Sequence, residues 1–336
     1  MSGVVRSACL AHYADVALSV GLDPLAQLRA VSLDPQCLED ADLRIPVEAV
    51  ARLLENSARD SGAEDLGLRL AERRQVFNLG PLALMVRSGR TLRHVLEVLR
   101  NYLSLHNEGL LLQIEEGSAL VVLRVAQVTS GLLPIRQVTE LSLAVTHLML
   151  KGLLGKHWQP VSICFTHAPP RTSDRHLRLF GDRVKFNSSL DGIVFQSQQL
   201  DAELSNADPM MARYAQLYLE HLRTELAITF AEKVRQMIWV LLPSGMCNAD
   251  QVASDLNLVR RTLDRRLARE GESFVSLRDQ VRRELAFRYL ANPSLALSEI
   301  ASALGFSELS AFSRWFSQRF GCSPSTWRAG RHPSAR

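Results

Sequence analysis

With 336 residues, 47% of them hydrophobic, the chain is long enough for two domains, each with its own buried core. No apolar run approaches the roughly 18 residues a membrane-spanning helix needs, and the opening segment MSGVVRSACLAHYADVALSVG reads as an amphipathic helix, not a signal peptide, because His12 and Asp15 interrupt it. The net charge of +4 is unevenly spread: from Ala231 to Arg336 there are sixteen Lys and Arg against ten Asp and Glu, and all the cations there except Lys233 are Arg, the side chain suited to phosphate and guanine.

Residues 4–20, 24–31 and 46–60 are expected as helices, with Pro24 and Pro46 at first positions, where a missing N–H costs nothing. A further helix follows from Gly62. Thr91 is expected to cap TLRHVLEVLRNYLSLHNEG, whose Leu92, Val95, Leu96, Leu99 and Leu103 share one face before Gly109. The period then changes: LLLQIEEGSALVVLRVA reads as a hairpin about Glu116-Gly117-Ser118. A long apolar helix is expected from Pro134 to Gly155, then a strand over Val161–Thr166, then Arg183–Asn187 paired with Gly192–Gln196. Another helix starts at Asp208-Pro209. Residues 1–205 are thus expected to form an α+β domain, 206–230 a connecting helix, and 231–330 an all-α domain of two helix-turn-helix units joined by a linker helix, with a loose RHPSAR tail.

The all-α region contains one pattern twice. QVASDLNLVRRTLDRRLAREG runs from Gln251 to Gly271 and EIASALGFSELSAFSRWFSQRFG from Glu299 to Gly321. Val252-Ala253 falls on Ile300-Ala301, Leu256 on Leu304 and Leu258 on Phe306. A small Ala lets two helices cross closely, and a polar turn throws the second helix outward toward a DNA major groove. The units span about 249–270 and 297–320. In the first, Leu263 and Leu267 are core candidates, while Arg260, Arg261, Asp264 and Arg265 are DNA-facing candidates: Arg for guanine or phosphate, Asp264 for a cytosine amine. In the second, Phe312 and Phe316 point inward, which leaves Leu309, Ser310, Ser313 and Arg314 to face a groove. Ser307 is expected to cap the second recognition helix, whereas Val259 leaves the first uncapped. The linker helix VSLRDQVRRELAFRYL buries Leu277, Val281, Leu285 and Leu290, with Arg278, Arg282 and Arg283 toward solvent or phosphate. The Arg-rich first unit is expected to supply more of the salt-dependent affinity and the second to fix shape.

The motifs RRTLDRRLAREGESF, EIASALGFSELSAFSRWF and GCSPSTWR, spread over about Ala231 to Arg328, resemble the DNA-binding domain of AraC/XylS-type transcription regulators. The resemblance implies two units held by one linker helix in successive major grooves of double-stranded DNA. It also implies a departure at Val259, where the family usually has Ser or Thr. Upstream, VFNLGPLALMVRSGRTLRHVLEVLRNYLSLHNEG and RLFGDRVKFNSSLDGIVF are similar to the arabinose-binding-like N-terminal domain of one AraC subgroup, which includes regulators of ornithine utilisation and of mycobacterial acid-response genes. That implies an effector-binding or dimerising domain without naming the effector.

No catalytic constellation is present. The histidines form no H-E-x-x-H or H-x-H pattern, no G-x-S-x-G occurs, and Cys9, Cys37, Cys164, Cys247 and Cys322 lack C-x-x-C spacing. The cysteines read as reduced thiols of a cytoplasmic protein, and no metal or cofactor is expected. An enzyme fused to the DNA-binding unit, with a Cys nucleophile and clustered zinc cysteines, is therefore disfavoured. Phe77, Asn78, Tyr102, His106 and Asn107 are candidate linings of an effector pocket, with ordinary packing as the alternative. The expected function is a DNA-binding transcription regulator, an activator under small-molecule control, acting as a homodimer with RNA polymerase. The alternative keeps the DNA binding but gives the N-terminal domain only dimerisation or a protein partner.

Overall fold

The computed structural model describes residues 3–74, 79–128, 133–204, 210, 213–217, 219, 229–243, 245, 247–256, 258–293 and 295–330. The chain divides into two compact units, residues 1–226 and 227–336. Most of the expected 206–230 helix, with its Asp208-Pro209 start, and the RHPSAR tail lie outside the described residues. No described helix is long and apolar enough to cross a membrane.

The first segment is not the continuous helix expected over 4–20. Val4 and Val5 are β-branched and suit a paired strand. Accordingly β1 (Val4–Arg6) pairs antiparallel with β2 (Arg44–Pro46), Val5 opposite Ile45. A 3-10 turn, Ser7–Leu10, follows, and His12 at φ 66° breaks the path before α1 (Tyr13–Ser19). Then come α2 (Pro24–Ala30), whose first turn is capped by Asp23, and α3 (Val47–Ser61). α4 (Leu66–Arg73) and α5 (Pro81–Ser88) follow. α6 (Leu92–Tyr102) starts as expected, with Thr91 Oγ1 accepting the His94 N–H, and continues as a 3-10 turn to Leu105.

The hairpin forms where the change of period put it, from β3 (Leu110–Glu116) and β4 (Leu120–Gln127), with Leu110 opposite Gln127. α7 (Arg136–Leu154) packs over β4 and against α4. A Cβ on Gly67 would lie 2.3 Å from the Gln137 carbonyl oxygen, so α4 needs glycine to approach α7 this closely. β5 (Ser162–Cys164), α8 (Asp174–Phe180), β6 (Val184–Lys185) and β7 (Gly192–Gln196) complete a five-stranded sheet of order β3-β4-β7-β5-β6. The expected pairing of Arg183–Asn187 with Gly192–Gln196 does not occur. β7 lies between β4 and β5, antiparallel to both, and β6 pairs parallel with β5 at the edge.

Among its described residues the C-terminal unit has only helices as regular elements: α9 (Phe230–Leu241), α10 (Ala249–Asp255), α11 (Arg260–Arg269), α12 (Phe274–Leu290), α13 (Leu297–Ala303), α14 (Leu309–Phe320) and α15 (Pro324–Arg328). Its core contains the residues the repeat marks as inward. Val252, Ala253, Leu263, Leu267, Ile300, Ala301, Leu304, Phe312 and Phe316 are all buried, as are Leu277, Val281, Leu285 and Leu290 of α12. Together the two units give an α+β N-terminal part followed by an all-α part.

Candidate nucleic-acid interface and interior cavity

In the first helix-turn-helix, Asn248 caps α10 by accepting the Gln251 N–H at 2.8 Å. Leu258 N–H returns to the Ala253 carbonyl at 2.8 Å and closes the turn. α11 then starts at Arg260 with no side-chain cap, and Val259 before it is 70% exposed. Arg260, Arg261, Asp264 and Arg265 all lie on its exposed side. They are not equivalent. Arg260 Nε donates to Asp264 at 3.1 Å and its Nη1 lies 3.6 Å from Asp250, so Arg260 and Asp264 neutralise each other. Arg261 and Arg265, one turn apart, have no ion-pair partner among the described residues, and their charge projects outward. At the other end of α11, Glu270 accepts the Phe230 and Ala231 N–H groups at 3.0 and 2.7 Å. A carboxylate there caps α9 and ties it to the first unit.

The second unit is held differently from its expected design. Glu299 reaches back to the Ala296 N–H at 2.7 Å to start α13. Ser307 does not cap α14: the capping position is Glu308, whose side chain takes no backbone N–H and instead accepts from Ser310 Oγ at 3.0 Å. The α14 helix is fixed by aromatic packing. Phe312 and Phe316 are fully buried, and Trp315 lies 5.4 Å from Phe306 and 6.0 Å from Phe320. Trp315 Nε1 donates to Asp279 of α12 at 3.0 Å, and Arg319 pairs with the same carboxylate. Leu309, Ser310 and Arg314 remain exposed, with Ser313 half-buried beside them.

Arg282 is a correction of role. It was expected toward solvent or phosphate, yet its Nε donates to the Leu304 carbonyl at 2.9 Å and its Nη2 to the Gly305 carbonyl at 3.0 Å. Its guanidinium also covers the Phe306 ring at 4.4 Å. Burial, then Arg278, pulls it down to about 10, so it stays protonated at neutral pH. It positions the turn of the second unit on the linker helix. Arg278 is half-buried over Phe274, and only Arg283 of the three is exposed. Sequence reasoning missed this because Arg282 sits one residue past Val281, on the flank of the buried face.

The N-terminal unit has a cavity of about 90 Å³ between α3, α6, β3, β4 and α7. Its walls are mainly apolar, from Val47, Leu99, Leu112, Val138, Leu141 and Met149 among others. Of the candidate effector linings, His106 and Asn107 line it. Tyr102 does not: it packs in a separate cluster with Leu82, Met85 and Leu105. Phe77 and Asn78 lie outside the described residues. The polar groups on the α7 side satisfy one another. Gln127, inward-facing by the alternation of β4, donates to Ser142 Oγ at 2.8 Å, and Thr146 Oγ1 donates to the Ser142 carbonyl at 2.7 Å. Asn107 Oδ1 accepts the Gly109 N–H at 2.9 Å.

Arg74 and His106 are not satisfied in this way. Arg74 Nε and Nη2 and His106 Nδ1 are out of solvent, and none has a hydrogen-bond partner among the described residues. Burial, followed by the nearby Arg6, Arg74 and Arg44, pushes His106 down to about 3, so it is neutral at physiological pH. Sequence reasoning did not single out Arg74, which reads as an ordinary basic residue at the end of α4. All five cysteines are free thiols, and three of them (Cys9, Cys37 and Cys164) are buried.

Two family models match the chain. The family described as "Arabinose-binding domain of AraC transcription regulator, N-term" matches residues 21–204, and a "Helix-turn-helix domain" family matches residues 252–330. The chain is 34% identical over 331 residues to the HTH-type transcriptional regulator VirS of Mycobacterium tuberculosis, covering 98% of this chain and 97% of that one. It is 26% identical over 319 residues to the ornithine utilization regulator of Pseudomonas aeruginosa, covering 94% and 93%. The crystal structure of the transcriptional regulator CdpR from Pseudomonas aeruginosa aligns over 91% of this chain and 96% of its own, with 19% identity and a TM-score of 0.46.

Proposed function

The chain belongs to the AraC family of DNA-binding transcription regulators, and we propose that it is an activator controlled by a small molecule held in the cavity of its N-terminal unit. The carrying observation is the cavity itself, a mainly apolar space bordered by Arg74 and His106, whose Nε, Nη2 and Nδ1 atoms are buried without a hydrogen-bond partner among the described residues. Buried polar groups without partners are costly, and a ligand-binding site is where such a cost is tolerated. The name of one relative, the ornithine utilization regulator, ties that protein to the use of a small metabolite.

An effector that binds one arrangement of the protein more tightly shifts the DNA-competent population by that difference in affinity. In this reading Arg261 and Arg265 contact one major groove, with Arg260 and Asp264 joining them where their mutual pair opens, and Leu309, Ser310, Ser313 and Arg314 contact the next. The regulator acts in the cytoplasm as a homodimer and engages RNA polymerase. Support for the dimer comes from Met210, Tyr214 and Leu217, which are 70, 65 and 56% exposed at helical spacing. The test is operator binding by Arg265→Ala and Arg314→Ala. Each should weaken specific relative to non-specific affinity by about 1–3 kcal/mol. Unchanged discrimination in both variants removes the groove assignment.

A further inference from the structure

We propose that the cavity takes a carboxylic acid carried on an apolar body, with the carboxylate on Arg74 and His106 and the hydrocarbon against the valine and leucine walls. The proposal rests on the reading of the cavity as an effector site and specifies the chemistry of that effector.

The argument starts from charge. A guanidinium keeps its proton at neutral pH even where burial pulls it down, so Arg74 carries a full positive charge at the cavity wall. The ionisable group acting on it most directly, Cys9, is no counter-ion. Burial pushes that thiol up to about 12, and it is neutral. The neighbouring cations Arg6 and Arg44 do not line the cavity, although each has a buried Nη1 without a hydrogen-bond partner among the described residues. Arg6 Nε donates to Asp42 at 2.9 Å, while Glu108, the carboxylate that acts on Arg44, also accepts the Val4 N–H at 2.9 Å. Among the described residues, Arg74 is thus a buried cation with no carboxylate acting on it.

The form of the site selects the anion. Two outward N–H groups of one guanidinium match the two oxygens of a carboxylate, and His106 Nδ1 adds one further hydrogen-bonding position. The basic groups of the lining itself are one guanidinium and one neutral imidazole, which balance a single negative charge; a phosphate dianion calls for more donors than these. The remaining polar lining, Gln127, Ser142, Thr146 and Asn107, is already hydrogen-bonded within the protein. The rest of the ligand therefore meets polar groups already engaged within the protein and hydrocarbon, which favours an alkyl or aryl body over a sugar or a second charge.

The experiment is calorimetric titration of the full chain with hexanoate and octanoate, and with the primary amides, alcohols and amines of the same chain lengths. The wild type should bind the acids at least about tenfold more tightly than the amides, and Arg74→Met should lose about 30-fold or more of the acid affinity while leaving amide affinity unchanged. Arg74→Met should also melt no lower than wild type without ligand, because it removes an unpaired buried charge. The acid-to-amide ratio is measured on the wild type alone, so it stands whether or not the variant folds. Amides, alcohols or amines binding the wild type as tightly as the acids overturns the carboxylate assignment but leaves the cavity as an effector site. Acid affinity retained in Arg74→Met also overturns it. No binding by any of the four classes overturns both the assignment and the effector reading beneath it.

Discussion

Replacing Arg282 by Ala should loosen the second helix-turn-helix from the linker helix without disturbing the first. Arg282 makes two charge-assisted hydrogen bonds, to the Leu304 and Gly305 carbonyls at 2.9 and 3.0 Å, and covers Phe306 at 4.4 Å. Bonds of that kind are worth about 1.5–3 kcal/mol each, and a guanidinium over a ring about 0.5–2. Gly305 is exposed, so water can replace part of what is lost. The net cost is then about 2–3 kcal/mol, equivalent to amide exchange about 30- to 150-fold faster over α13 and α14. Hydrogen exchange read by mass spectrometry on the full chain measures this directly, with peptides from α10 and α11 as the internal control. Operator affinity should fall in parallel, because two recognition helices read successive grooves only while their spacing is held. Exchange over 297–320 unchanged from wild type would refute the reasoning, since Arg282 would then be a solvated arginine after all.

Glu284 should matter comparably on the other side of α12. It accepts from Arg235 at 2.9 Å and from Trp239 Nε1 at 3.2 Å, so Glu284→Ala should lower stability by about 2–3 kcal/mol and Glu284→Gln by less, read from urea unfolding followed by tryptophan fluorescence. Acid should destabilise the N-terminal unit. Burial, then Lys151, pushes His147 down to about 4, below the roughly 6.5 of an unfolded histidine. Between those values the unfolded chain binds the extra proton, so stability is full above about pH 6.5 and falls by about 1.4 kcal/mol per pH unit as pH drops toward 4. His147→Phe should remove that part of the slope, and an unaltered slope in a pH series of thermal melts would count against burial as its cause.

Features set by neighbours in sequence were legible before the fold was known. Thr91 caps its helix, Gly117 turns its hairpin, and the inward Leu263, Leu267, Phe312 and Phe316 are buried. Features decided by distant partners were not. The valines at 4 and 5 read as helix because their strand partner lies at Arg44–Pro46, and β7 pairs with β4 and β5 instead of the nearer β6. The cap expected at Ser307 is absent, since the aromatic cluster and Asp279 hold α14 regardless of its first turn. The same limit applies to the two candidate sites. The exposed arginines of α11 follow from helical periodicity alone. Arg74 acquires its meaning only when α4 delivers it to a cavity walled by β3, β4 and α7, a placement no local pattern announces.

The central claim is that one chain presents two recognition helices, α11 and α14, to successive turns of the same duplex. Hydroxyl-radical and methylation-interference footprints of the full chain on its operator test it most directly. Each bound chain should give two major-groove contact patches about 10 base pairs apart, one lost in Arg265→Ala and the other in Arg314→Ala. A single patch per chain, or two patches that both respond to the same substitution, would contradict it.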